Sequence, residues 1–100
     1  MTYSLRRQRD GMGDSGLMSD AYHWPNGEDA DPEVIHNSKP FVGATMRVGT
    51  PFARSFTAQD WWQTTPVTEI IKEWTDWVED QSVECVHFKT GNSEYIWEKF

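Results

Sequence analysis

Ser82-Val83-Glu84-Cys85-Val86-His87-Phe88-Lys89-Thr90 and Ser93-Glu94-Tyr95-Ile96-Trp97-Glu98-Lys99-Phe100 are two β-rich runs on either side of Gly91-Asn92. A Gly-Asn pair between such runs predicts a two-residue β-hairpin over 82–100. The loop sets a testable register. Lys89 meets Glu94, Phe88 meets Tyr95, Val86 meets Trp97 and Glu84 meets Lys99. Two of these pairs are opposite charges and two are large apolar pairs. A one-residue slip would turn every side chain to the other face and lose that agreement. Each matched pair contributes roughly 0.2–1 kcal/mol. Val86, Phe88, Tyr95 and Trp97 form the expected core face, and Cys85, His87, Lys89, Glu94, Ile96 and Glu98 the opposite one.

The stretch just before the hairpin is ambiguous. Val67, Ile70, Ile71, Trp74, Trp77 and Val78 follow helical spacing,. Thr65-Pro66 supplies an N-cap followed by proline at the first helical position. This pattern favours an amphipathic helix over 66–79. Against it, Val67, Thr68, Ile70, Ile71, Thr75 and Val78 are β-branched, and Trp61-Trp62 suits a sheet,. A strand over 61–74 is the rival reading. Further upstream, Val42, Ala44, Met46 and Val48 alternate with Gly43, Thr45 and Arg47, as in a half-buried strand,. Gly49-Thr50-Pro51 breaks it, and a short extended piece follows to Phe56.

Residues 1–40 carry turn-rich runs such as Gly11-Met12-Gly13-Asp14-Ser15-Gly16 and Pro25-Asn26-Gly27-Glu28, with no sustained apolar period,. They read as a flexible or partner-ordered N-terminal arm before a compact β-rich domain at 41–100. The expected fold class is mainly β to α+β. It is a small antiparallel sheet or partly open barrel closed by the hairpin, with 66–79 packed on it as a helix, or alternatively as a strand.

At 100 residues the chain has room for one domain,. Its 37% apolar content is low, but six Trp point to a core of few, large side chains,. A net charge of −7 argues against binding nucleic acid or an anionic membrane,. The only arginines are Arg6, Arg7, Arg9, Arg47 and Arg54, three of them in the arm. No run approaches the ~18 apolar residues of a membrane span, and no apolar segment follows the basic start, so no signal peptide is expected. The lone Cys85 excludes an internal disulfide and fits a reducing compartment,.

Trp62-Gln63-Thr64-Thr65-Pro66-Val67-Thr68-Glu69-Ile70, followed by Thr90-Gly91-Asn92-Ser93-Glu94-Tyr95, resembles a pattern of small uncharacterised bacteriophage proteins. There a W-x-T-[ST]-P-V-x-x-I stretch precedes a T-x-N-S-x-Y hairpin. The resemblance covers roughly residues 44–98, and this chain departs from it by inserting Glu73–Gln81 between the motifs. It implies a β-rich module with the Thr-Pro-Val stretch as a strand beside the hairpin. It also implies a phage accessory protein in the bacterial host cytoplasm. No activity comes with it.

Candidate chemistry is sparse. Cys85 and His87 lie two apart on one strand, but a metal would need further ligands. A nucleophilic cysteine would need an oriented base and an oxyanion hole. Neither has a sequence signal, so no catalytic residue, metal ligand or cofactor is assigned, and the chain is not expected to be an enzyme. The stronger signal is acidic. Glu69, Glu73, Asp76, Glu79, Asp80 and Glu84 face only Lys72. On a helix, Glu69 with Asp76 and Glu73 with Asp80 would share an outer face. The bland reading is a solvated face. The functional one is a docking surface for a basic protein partner, formed by Trp61, Glu69, Glu73, Asp76, Trp77, Glu79 and Asp80. Trp62, Trp74 and Trp97 are expected in the core. The sequence thus predicts a non-enzymatic accessory protein that binds and modulates or inhibits a host protein, such as a defence or nucleic-acid-handling enzyme. The alternative is a structural or assembly component of a virion or complex, with its arm ordered by neighbouring subunits. Homo-oligomerisation is left open.

Overall fold

The hairpin at the C-terminus sits inside a larger ladder. The computed structural model describes residues 2–50 and 61–100. The extended piece expected up to Phe56 lies outside the described residues. Nine strands are described: β1 Tyr3–Arg7, β2 Gly13–Gly16, β3 Met18–His23, β4 Glu33–Ile35, β5 Thr45–Gly49, β6 Trp61–Gln63, β7 Val67–Val78, β8 Gln81–Thr90 and β9 Glu94–Lys99. One antiparallel sheet has the order β2-β1-β9-β8-β7, and the other has β4-β3-β5-β6. The architecture is mainly β and open; neither sheet closes on itself into a barrel.

The β8–β9 pairs are those expected: Lys89 with Glu94, Phe88 with Tyr95, Val86 with Trp97 and Glu84 with Lys99. The loop works differently from a glycine-dependent turn, because Gly91 has no positive φ. Instead the Thr90 hydroxyl accepts from the backbone N–H of Asn92 (3.4 Å) and Ser93 (3.3 Å).

Residues 66–79 are not a helix. Val67–Val78 is one long strand paired along β8. The Thr-Pro start signal is used otherwise. The Thr64 hydroxyl accepts from Met46 N–H (3.1 Å) and donates to the Thr65 carbonyl (2.7 Å). Val67 N–H then bonds the Ala44 carbonyl at 2.9 Å. The misleading apolar spacing also has a cause. Register shifts between Val67 and Glu69 and between Ile70 and Lys72 interrupt the period of two. A bulged strand can therefore carry apolar residues at helix-like intervals.

The expected boundary at residue 40 does not separate an arm from a domain. β1 lies between β2 and β9, pairing Leu5 with Trp97 and Arg7 with Tyr95. β3 is central to the second sheet, between β4 and β5. The reason is alternation: Tyr3 and Leu5 point inward and are buried, while Arg6 points out. Gly13 lets β2 approach closely, since a Cβ there would strike the Leu5 carbonyl.

Both sheets contribute to one core. Tyr3, Leu5, Val86, Phe88, Tyr95 and Trp97 come from the first, and Ala21, Met46 and Val48 from the second. Phe88 stacks on Tyr95 at 5.4 Å between ring centroids. Trp97 spans the layers, its indole N–H donating to the buried Ser19 hydroxyl at 2.9 Å.

The β7–β8 turn is strained. Val78 pairs with Gln81, so Glu79 and Asp80 are the two loop residues, with φ of 49° and 63°. Two positive φ values are the type I′ requirement, best met by Asn-Gly. A left-handed conformation costs a non-glycine residue about 1–2 kcal/mol. Replacing Glu79-Asp80 with Asn-Gly is expected to raise stability by about 1–2 kcal/mol in urea unfolding.

Candidate functional site

The topology decides where the acidic residues go. β7 is an edge strand that pairs, among the described residues, only with β8. Cross-strand partners share a face, so the register assigns each side chain. Glu73, Thr75 and Trp77 lie opposite Val86, Glu84 and Ser82, on the face that continues the core. Lys72, Trp74, Asp76 and Val78 lie opposite His87, Cys85, Val83 and Gln81, on the outer face. The common acidic face expected of a helix is therefore divided.

The seven candidate residues separate into three groups. Asp76, Trp77, Glu79 and Asp80 gather at the tip of the β7–β8 hairpin. Glu79 and Asp80 have no ion-pair partner among the described residues, and Trp77 is 72% exposed. Glu69 and Glu73 lie lower on the strand. Glu69 pairs in register with Lys89, and Glu73 receives a hydrogen bond from Lys39 Nζ at 3.0 Å. Lys39 and Glu73 border a groove of about 280 Å³ floored by Val86 and Trp97. Trp61 belongs to neither group. It is on the other sheet, where the Arg47 guanidinium lies 4.2 Å from its ring and 4.8 Å from that of Tyr22. Gln63 Oε1 accepts from Arg47 Nε and Nη2 at 3.1 and 2.7 Å, which fixes the stack.

Trp74 is not a core residue. Its indole N–H donates to Asp76 Oδ2 at 3.0 Å, and Lys72 Nζ sits 5.2 Å from its ring. Trp74 and Glu98 flank Cys85 in register, which is why this cysteine is buried although it faces away from the core. Burial pushes its thiol pKa up, and the negative charges of Glu98 and Asp76 push it further. Both effects oppose the thiolate that nucleophilic or metal-binding chemistry requires. His87 Nε2 lies 3.5 Å from Glu94 Oε1. Among the described residues, no three His, Cys, Asp or Glu side chains come together as a metal site would need.

Sequence reasoning missed the apolar part of this hairpin. Ile71 is 41% exposed and Val78 56% exposed on the same edge strand as Trp77. A helix would have turned both into the core, so their exposure was invisible while that reading stood. Compared with known proteins, the chain matches no protein-family model, no curated protein and no solved structure.

Proposed function

We propose that this chain is a non-enzymatic, phage-type accessory protein that binds and modulates a host protein with a basic surface, acting in the bacterial cytoplasm. The observation that carries the binding site is the projecting hairpin tip. There Glu79 and Asp80, without an ion-pair partner among the described residues, stand beside Asp76 and an exposed Trp77. Carboxylates at a projecting tip steer a basic partner into encounter, and an exposed Trp beside them supplies contact area of the kind that dominates binding hot spots. Nucleic acid does not fit this surface, because phosphates would meet like charge. No helix among the described residues is long and apolar enough to cross a membrane.

The assembly alternative loses its waiting arm, since β1 to β4 are already built into the two sheets. The open edge of β7 favours a different kind of assembly contact.

The Asn-Gly turn variant tests the tip directly. It removes both charges while relieving the strained turn, so loss of binding cannot be assigned to unfolding. Affinity purification from bacterial lysate should recover a partner with the wild type and at least tenfold less of it with E79N/D80G. Equal recovery would overturn the acidic-tip reading.

A further inference from the structure

We propose that the free edge of β7 pairs with β7 of a second copy, in an antiparallel register centred on Trp74, to give a two-fold dimer with one continuous ten-stranded sheet. This goes beyond the reading of the tip and does not depend on it.

The starting point is the edge itself. Val67 bonds to Gly43 and Ala44 through its backbone C=O and N–H. Beyond it the strand runs to Val78 with one side paired to β8 and, among the described residues, no strand on the other. Such a row of N–H and C=O groups is a template for another strand. Three of the protein's exposed large apolar residues, Ile71, Trp77 and Val78, lie on this strand.

Symmetry then restricts the register. A two-fold axis perpendicular to the sheet keeps each face on its own side, so residues of the same face must meet. Centring on Lys72 sets Lys72 against its own copy, and centring on Glu73 does the same for Glu73. Like charges directly opposite are destabilising. Centring on Thr75 places Glu73 against Trp77 and Lys72 against Val78. Centring on Trp74 places Lys72 against Asp76 of the second copy, twice over. It also places Ile71 against Trp77, twice over, and Trp74 against Trp74. The same register brings Glu73 against Thr75. One register thus matches charge with charge and exposed apolar side chains with each other.

The closing experiment uses the full chain and a charge swap. Light scattering from low to several hundred micromolar should show the wild type passing from 11.6 kDa monomer to dimer. Ile71→Lys and Trp77→Glu should each weaken the dimer at least tenfold. The double variant I71K/W77E should restore it, because the introduced lysine of one copy then faces the introduced glutamate of the other. Within one chain these positions are six residues apart, about 20 Å along a strand. Rescue can therefore arise only between copies. Far-UV circular dichroism should show every variant folded, since both side chains are exposed. The E79N/D80G variant should keep the dimer whatever its effect on partner recovery, which separates failure of this proposal from failure of the tip reading. A wild type that stays monomeric throughout, or a double variant no better than the singles, would overturn the proposal.

Discussion

Trp97→Ala is expected to remove about 3–5 kcal/mol of stability, as truncation of a fully buried aromatic does. Trp97 is 1% exposed and is the largest fully buried side chain. It faces Leu5 on β1 and Val86 on β8, with the Tyr3 ring centroid 5.9 Å away. Its removal would leave a void in the middle of the first sheet's inner face. The polar end adds to the cost. Ser19 is wholly buried, and its hydroxyl accepts from the Trp97 indole while donating to the Ser38 carbonyl at 2.7 Å. Without the indole, an acceptor of Ser19 is stranded between the sheets, worth about 1–3 kcal/mol by itself. Trp97→Phe isolates that second contribution, because a ring still fills most of the space. The alanine variant should melt roughly 12–40 °C lower, given about 4–8 °C per kcal/mol for a domain of this size. Far-UV circular dichroism reads both transitions. A phenylalanine variant as stable as the wild type would show that the Trp97–Ser19 bond does not tie the sheets together.

What could be read in the sequence follows the range of the interactions. The 82–100 hairpin was legible because a short loop makes its pairs local, and those pairs include matched charges as well as apolar contacts. Its partner β7 was not. The two bulges there disguise a strand as a helical stripe, and Glu79-Asp80 is not a dipeptide that announces a type I′ turn,. The candidate site inherited that error. A helix groups Glu69, Glu73, Asp76 and Asp80 on one outer face, whereas the strand sends Glu73 to Lys39 and leaves Asp76 and Asp80 at the hairpin tip. Trp61 could not be placed by local pattern at all, because its partner Arg47 comes from another strand and contacts Tyr22 on a third. The exposed Ile71 and Val78 carried a signal only once the strand was known.

The N-terminal segment shows the same limit most sharply. Leu5→Ala should cost about 2–5 kcal/mol, and deletion of residues 2–7 should abolish cooperative unfolding altogether. Leu5 is fully buried, and β1 contributes both Tyr3 and Leu5 to the core. It also supplies, among the described residues, the only sheet neighbour of β2 and the second neighbour of β9, and the Thr2 carbonyl accepts from Phe100 N–H at 2.8 Å. Removing β1 would therefore strand β2, open a long edge on β9 and bare one side of Trp97 at once. The alternation of Tyr3 and Leu5 with Ser4 and Arg6 was present in the sequence, but five residues of it cannot announce a strand whose partner lies some ninety residues away. If residues 2–7 were an accessory arm, the shortened chain would keep a dispersed amide spectrum and a sharp melt. If β1 is the strand that joins β2 to β9, the spectrum collapses, because a hairpin cut off from half its core has too little buried apolar surface to offset the entropy of ordering it.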